Sequence, residues 1–233
     1  MNGLWRLMLN VQTAESIISL ITFLLAYMVS VTLAGCFTAW VALKMGDETP
    51  EQEGFLTLNP LAHIDFLGTL FIILYNFGWG RFIPINPFNI HGKLRVVKIL
   101  AAFLAKTFAH CLIGAAALTG LIALFGERIL VSTAPLAQSF PEASSYTISI
   151  GMIFISLLWV NVMLAVITFI LNLCGLGVMI WAENNPDYLP YTSLIMLIVP
   201  IAIFYALGGW LIKIMFIAIT TSGFMIASLL RLF

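Results

Sequence analysis

Hydrophobic residues in this chain fall into long blocks separated by short polar connectors, and the block lengths predict its elements. The first block runs from Ile17 to about Met45, with Lys44 near its end, and as a helix it is long enough to cross a ~30 Å hydrocarbon core. Gly46 to Ile64 is polar and acidic, carrying Asp47, Glu48, Glu51 and Glu53. Phe66 to Phe77 is apolar again, but at about 12 residues a helix there reaches only ~18 Å, so a re-entrant segment competes with a full span. The connector FGWGRFIPINPFNIHGKLRVVK follows, with Arg81, Lys93, Arg95 and Lys98 and no acid, which predicts that it faces the cytoplasm. Ile99–Phe125 and Tyr146 to about Ile180 are further spans, joined by a polar connector, Gly126–Ser145. After WAENNPDYLP, Tyr191–Phe233 would make one helix of ~60 Å, so a break at Gly208-Gly209 is expected. The pattern predicts an all-α polytopic membrane protein with five or six membrane segments.

Composition agrees. Of 233 residues, 62% are hydrophobic and 9% charged, and the mean hydropathy is +1.09; a soluble domain carries roughly a quarter charged residues. Ten basic and ten acidic residues cancel, so no global field recruits nucleic acid, and the partner implied first is the lipid bilayer. The opening MNGLWRLMLNVQTAES is too polar for a cleavable signal, so the first block is read as a retained helix. No soluble domain or repeat is evident, and the whole chain, 1–233, is read as one membrane domain. Cys36, Cys111 and Cys174 lie in apolar surroundings, and an odd count there gives no disulfide framework.

Two connectors carry specific motifs. GFLTLNPLAHID (Gly54–Asp65) is followed by GTLFIIL and then by WGRFIPINPFN (Trp79–Asn89). Together they resemble the short bacterial branch of the site-2 protease family, intramembrane zinc metalloproteases. Those proteins run G-R-L-T-L-N-P-L-x-H-I-D-P-I-G-T and then G-W-A-K-P-V-P-V-N-P-x-N. Asn59, Pro60, His63 and Asp65 match the first loop, and Pro84, Asn86 and Pro87 the second. Turn punctuation explains any one of these, but not both blocks at the family's spacing. The resemblance covers about residues 17–177, a site-2-protease-like core, and leaves about 191–233 as C-terminal helices.

What the resemblance implies chemically is a zinc held by two His four apart on one helix and by a distant Asp, with a Glu beside the first His as general base. In the family, H-E-x-x-H-A-x-x-A-x-x-x-G-D precedes the first loop. Gly46-Asp47 and Ala39 to Ala42 fit that register, which places the two His at Ala34 and Thr38 and the Glu at Gly35. The late helix resembles N-x-x-L-A-x-F-N-L-I-P-I-P-P-L-D-G. Here NVMLAVITFILNLCGLG keeps Asn161, Leu164, Ala165 and Gly177, but Thr168 replaces the inner Asn, Leu171 and Leu173 replace prolines, and Leu176 replaces the ligand Asp. The Ala-Gly-Pro step of the third core helix is absent as well, at Phe103-Leu104-Ala105. Methyl, hydroxyl and hydrogen side chains neither hold Zn²⁺ nor take a proton from its water. The expectation is a scaffold without its chemistry, with no catalytic residue, metal or cofactor, in which Ala34, Thr38 and Leu176 converge.

The remaining polar residues are weighed on the same terms. Cys36, Cys111 and Cys174, with His110 beside Cys111, border the ancestral site, but no paired spacing points to a replacement metal centre. Lys106 and His110 share one helix face inside a span, and an intramembrane ionisable residue faces protein or a watery cavity; Lys106 is expected to snorkel toward the headgroups instead. Asn161 is a third buried polar candidate. His63 and Asp65 are expected to order the Asn59-Pro60 turn or the start of the next membrane segment. Two functions follow. The first is a pseudoprotease of the bacterial inner membrane whose groove binds or scaffolds another membrane protein or a transmembrane helix. The alternative is an active zinc metalloprotease with a non-standard ligand set. A transporter has little behind it, since no pair of matching broken helices is present.

Overall fold

A computed structural model describes residues 14–75, 78–130, 135–185, 187 and 192–230. The expectations for the N-terminal leader, for Phe77 and for Tyr191 fall outside these residues. The elements in order are α1 (Ala14–Met45), α2 (Thr49–Gln52), α3 (Pro60–His63), α4 (Phe66–Tyr75), α5 (Arg95–Phe125), a 3₁₀ turn (Glu127–Leu130), α6 (Leu136–Ser139), α7 (Ser145–Asn184) and α8 (Thr192–Leu229). Among the described residues no strand occurs, and four helices are long and apolar enough to cross a membrane: Ile18–Met45, Arg95–Phe125, Ser145–Trp181 and Ile198–Leu229. The protein is therefore an all-helical membrane protein. In a bilayer only self-satisfied backbone is tolerated, which is why apolar runs of this length become helices.

Among the described residues four helices are long enough to span where five or six were expected, and one difference lies in α8. Its backbone continues through both Gly208-Gly209 and Pro200. Glycine weakens helices in water partly because it exposes backbone to solvent. In lipid an opened turn has no water to bond, so the two glycines do not break the helix. The ten-residue α4 covers ~15 Å, too short to span.

The centre of the molecule is α1, α5 and α7, with α8 against α5 and α7. Ala26, Tyr27 and Val31 of α1 pack with Ile72 of α4 and with Val160 and Leu164 of α7. Leu118, Leu121, Ile122 and Phe125 of α5 pack with α6 and with Ala227 of α8. The α5–α8 crossing is close because Gly223 faces α5, where an added Cβ would meet the Ala115 carbonyl oxygen at 2.9 Å. The Thr119 hydroxyl also donates to the Gly223 carbonyl at 3.1 Å across that crossing.

At the end of α1 the chain turns at Gly46, whose φ of +105° favours glycine, into a buried polar knot around Asp47. The Asp47 carboxylate accepts from the Thr49 amide (3.1 Å) and hydroxyl (2.6 Å), the Asn86 amide (2.7 Å) and the Asn89 side-chain amide (2.9 Å). This knot fixes the Pro84–Pro87 loop to α1. The loop's N-terminal half then runs back into the bundle. The Arg81 amide donates to the His63 carbonyl at 2.7 Å, and the Arg81 carbonyl meets Lys106, which lies ~17 Å along α5 from Arg95.

Candidate functional site

Ala34 and Thr38 lie one turn apart on the buried face of α1, and both are almost fully enclosed. The Thr38 hydroxyl donates to the carbonyl of Ala34 at 2.7 Å, so its one proton is already used within the helix. Gly35 faces the LNPLAHID loop. Asn59 caps α3 by accepting from the Leu61 amide at 3.1 Å, with Pro60 at the first helical position. Asp65 caps α4 by accepting from the Gly68 amide at 2.6 Å. Between these two caps His63 is driven inward and seated directly on Gly35. A Cβ placed on Gly35 would run into the Nδ1, Cε1 and Cγ atoms of the His63 ring. Glycine is needed at this position for close approach, not for backbone conformation.

His63 is otherwise well held. Its Nε2 lies 2.8 Å from the Thr57 carbonyl, which makes Nε2 the protonated nitrogen of a neutral ring. Its Nδ1 is buried without a partner, and Phe55 packs at 6.0 Å between ring centroids. Burial above all holds the imidazole below its ordinary pKa, with the nearby positive charges of Lys106 and Arg81 acting the same way and the bond to Thr57 opposing.

Beside Thr38 lies a cavity of about 240 Å³. Thr38, Gly80, Phe82, Lys106, Thr168 and Asn172 are among the residues that line it. Lys106 is 5% exposed, and its ammonium donates to the Arg81 carbonyl at 2.7 Å. The expected snorkelling does not occur, because the returning loop brings a carbonyl to the amine and removes the need to reach the headgroups. One turn further along α5, the His110 Nδ1 lies 2.8 Å from the Asn161 carboxamide oxygen, and the Asn161 nitrogen donates to the Ser30 hydroxyl at 2.8 Å. This chain ties α5, α7 and α1 together through the centre of the bundle, leaving the His110 Nε2 buried and unpaired.

Leu176 does not join Thr38 at the cavity. It packs on the cluster of Ala42, Ile85, Ile90, Ala102 and Phe103, one α1 turn beyond. The α7 residues that share the cavity with Thr38 are Thr168, Leu171 and Asn172. The cause is local: with leucine at 171 and 173 nothing interrupts α7, whereas prolines there would remove ladder bonds and bend the chain. Asn172, whose amide donates to the Phe103 carbonyl at 2.7 Å, was not singled out from the sequence. An amide inside an apolar run was its only signal.

Zinc chemistry does not fit these residues. A zinc site needs three donor side chains; at the three ligand positions Ala34 and Leu176 supply none, and the Thr38 hydroxyl is bonded to the Ala34 carbonyl. Among the described residues no three His, Cys, Asp or Glu side chains come together around a point that could hold a metal. Cys36, Cys111 and Cys174 are free thiols, and none lines the cavity. The cavity is also smaller than one turn of helix, roughly 420 Å³ for a 10 Å cylinder, so an intact helix does not fit inside it.

No protein-family model matches the chain, and no solved structure matches it at a significant level. An 86-residue stretch is 40% identical to the Bacillus subtilis (strain 168) protein named "Putative zinc metalloprotease YwhC". The match takes in 36% of this chain and spans 39% of that relative's length. Together with four membrane-crossing helices, this similarity supports a site-2-protease-like relationship for the chain.

Proposed function

We propose that this chain is a pseudoprotease: a site-2-protease-like protein of the bacterial cytoplasmic membrane that holds a transmembrane partner without cutting it. One observation carries the reading. The position expected to supply the general base is Gly35, and the space beside it is filled by the His63 ring. Ala34 and Thr38, at the two His positions, add no donor for a metal. In this reading the loop Arg81–Lys98 faces the cytoplasm and α4 is re-entrant.

The partner-binding half of the reading is supported by a second feature, on the outer face of α1 and α5. A furrow of about 430 Å³ there is lined by Phe37, Val41, Val97, Leu100, Leu104 and Phe108, among others. Its volume is that of about one helical turn, and its lining is apolar, as contact with a single membrane helix requires. The test is affinity purification of the full chain in mild detergent, beside a Leu104→Trp variant that fills the furrow. A membrane protein recovered in near-equal amount with the wild type and lost with the variant supports the proposal. Cleavage of transmembrane substrates by the purified chain overturns it.

A further inference from the structure

We infer that the cavity beside Thr38 is a binding site for a membrane-soluble carboxylate, a fatty-acid-like amphiphile whose head group pairs with the Lys106 ammonium. Three observations meet there. The first is a buried cation without an ion pair, on which the Asp65 carboxylate acts by charge and without a bond. Lys106 is buried inside a membrane-spanning helix, and its hydrogen bond is to the neutral Arg81 carbonyl, with no acidic side chain bonded to it among the described residues. An ammonium in hydrocarbon surroundings is costly, and such residues face a partner or a cavity. This one lines a cavity.

The second is the remaining hydrogen-bonding capacity. The ammonium has three N–H bonds and spends one on Arg81; the Asn172 amide has two and spends one on Phe103. The hydroxyls of Thr38 and Thr168 already donate to Ala34 and Leu164 in their own helices. The free donors therefore belong to Lys106 and Asn172, and both suit an anionic oxygen. One positive charge with no arginine fork or nest of backbone amides matches a singly charged carboxylate better than a phosphate dianion.

The third is size and lining. At ~30 Å³ per water-sized group, the volume holds about eight non-hydrogen groups, a carboxylate and a short stretch of alkyl chain. Trp79, Ile83, Ile85 and Leu171 supply apolar wall, and Phe82, 53% exposed, stands at the rim where a longer tail would leave toward lipid. The inference rests on the cavity and its cation, and it stands whether or not the chain binds a protein partner.

The experiment uses the purified full chain in a non-ionic detergent, with 2-bromooctanoate and its methyl ester as probes. Bromine quenches nearby indole, and the share due to Trp79 is isolated by subtracting a Trp79→Phe variant. The acid is expected to quench that share saturably, with the ester and a Lys106→Met variant each at least tenfold weaker. Equal quenching by acid and ester, or quenching that rises without saturation, overturns the site. Undiminished binding by Lys106→Met removes the lysine from it. Should Lys106→Met not fold, the acid–ester comparison on the wild type decides alone.

Discussion

The Ala34–Thr38 turn of α1 and the polar turn just past its C-terminal end, about two and a half helical turns from Thr38 to Asp47 by sequence, have opposite characters. In the turn beyond α1 Asp47 is fully buried and accepts four hydrogen bonds from Thr49, Asn86 and Asn89. At Ala34, Gly35 and Thr38 no side chain stands ready to hold a metal or take a proton, and the His63 ring is seated on Gly35. Both stretches belong to one resemblance, yet only the knot keeps its polar groups. The difference separates what the fold needs from what the reaction needs. Asp47 holds the second loop against α1, so its loss would cost structure, whereas in the proposed reading the loss of zinc ligands costs only chemistry.

The strongest way to break that contrast is Asp47→Ala. It removes the buried acceptor that four donors of half-buried Thr49 and Asn86 and exposed Asn89 now share, and a destabilisation of roughly 3 kcal/mol is expected. Thermal unfolding in detergent measures it, and a loss below about 1 kcal/mol would mean that the knot is decoration.

Gly35→Glu places a carboxylate at the position of the proposed general base but drives a side chain into the His63 ring. Overpacking of this kind costs about 1–3 kcal/mol. Adding His63→Ala should recover much of the loss, and a double-mutant cycle would then show coupling on the order of 1 kcal/mol or more. Additive effects would place the two residues out of contact.

The smallest effect is a pH dependence. Because the folded protein holds His63 below its ordinary pKa, near 6.5, the unfolded chain binds the proton more tightly. The contribution is fully present above that value and is lost as pH falls through it toward the lower folded-state pKa, with a slope of at most about 1.4 kcal/mol per pH unit. His63→Gln should flatten the acid limb of stability against pH between the two values. An unchanged limb would assign the titration to another group.

Much of the architecture was legible in hydropathy, because Ile99–Phe125 and Tyr146–Ile180 are apolar runs with no other way to satisfy their backbone in lipid. What was not legible involves partners distant in the chain. Lys106 turns inward because a carbonyl 25 residues upstream comes back to meet it. Leu176 packs one α1 turn beyond Thr38, off the cavity, on a helix that nothing interrupts, and ungapped counting does not register the path of a backbone. The glycines of α8 signalled a break by rules that hold in water. The Gly35–His63 contact had two visible halves, a glycine where a glutamate was expected and a loop histidine without a metal, but nothing in the sequence placed them face to face.

The central claim is that α1 and its neighbours no longer form a zinc site, and the zinc content of the purified full chain tests it most directly. The protein, expressed in zinc-replete medium and washed without chelator, should carry far less than one zinc per chain by elemental mass spectrometry. About one zinc per chain, the stoichiometry of a working three-ligand site, retained through purification, would contradict the account.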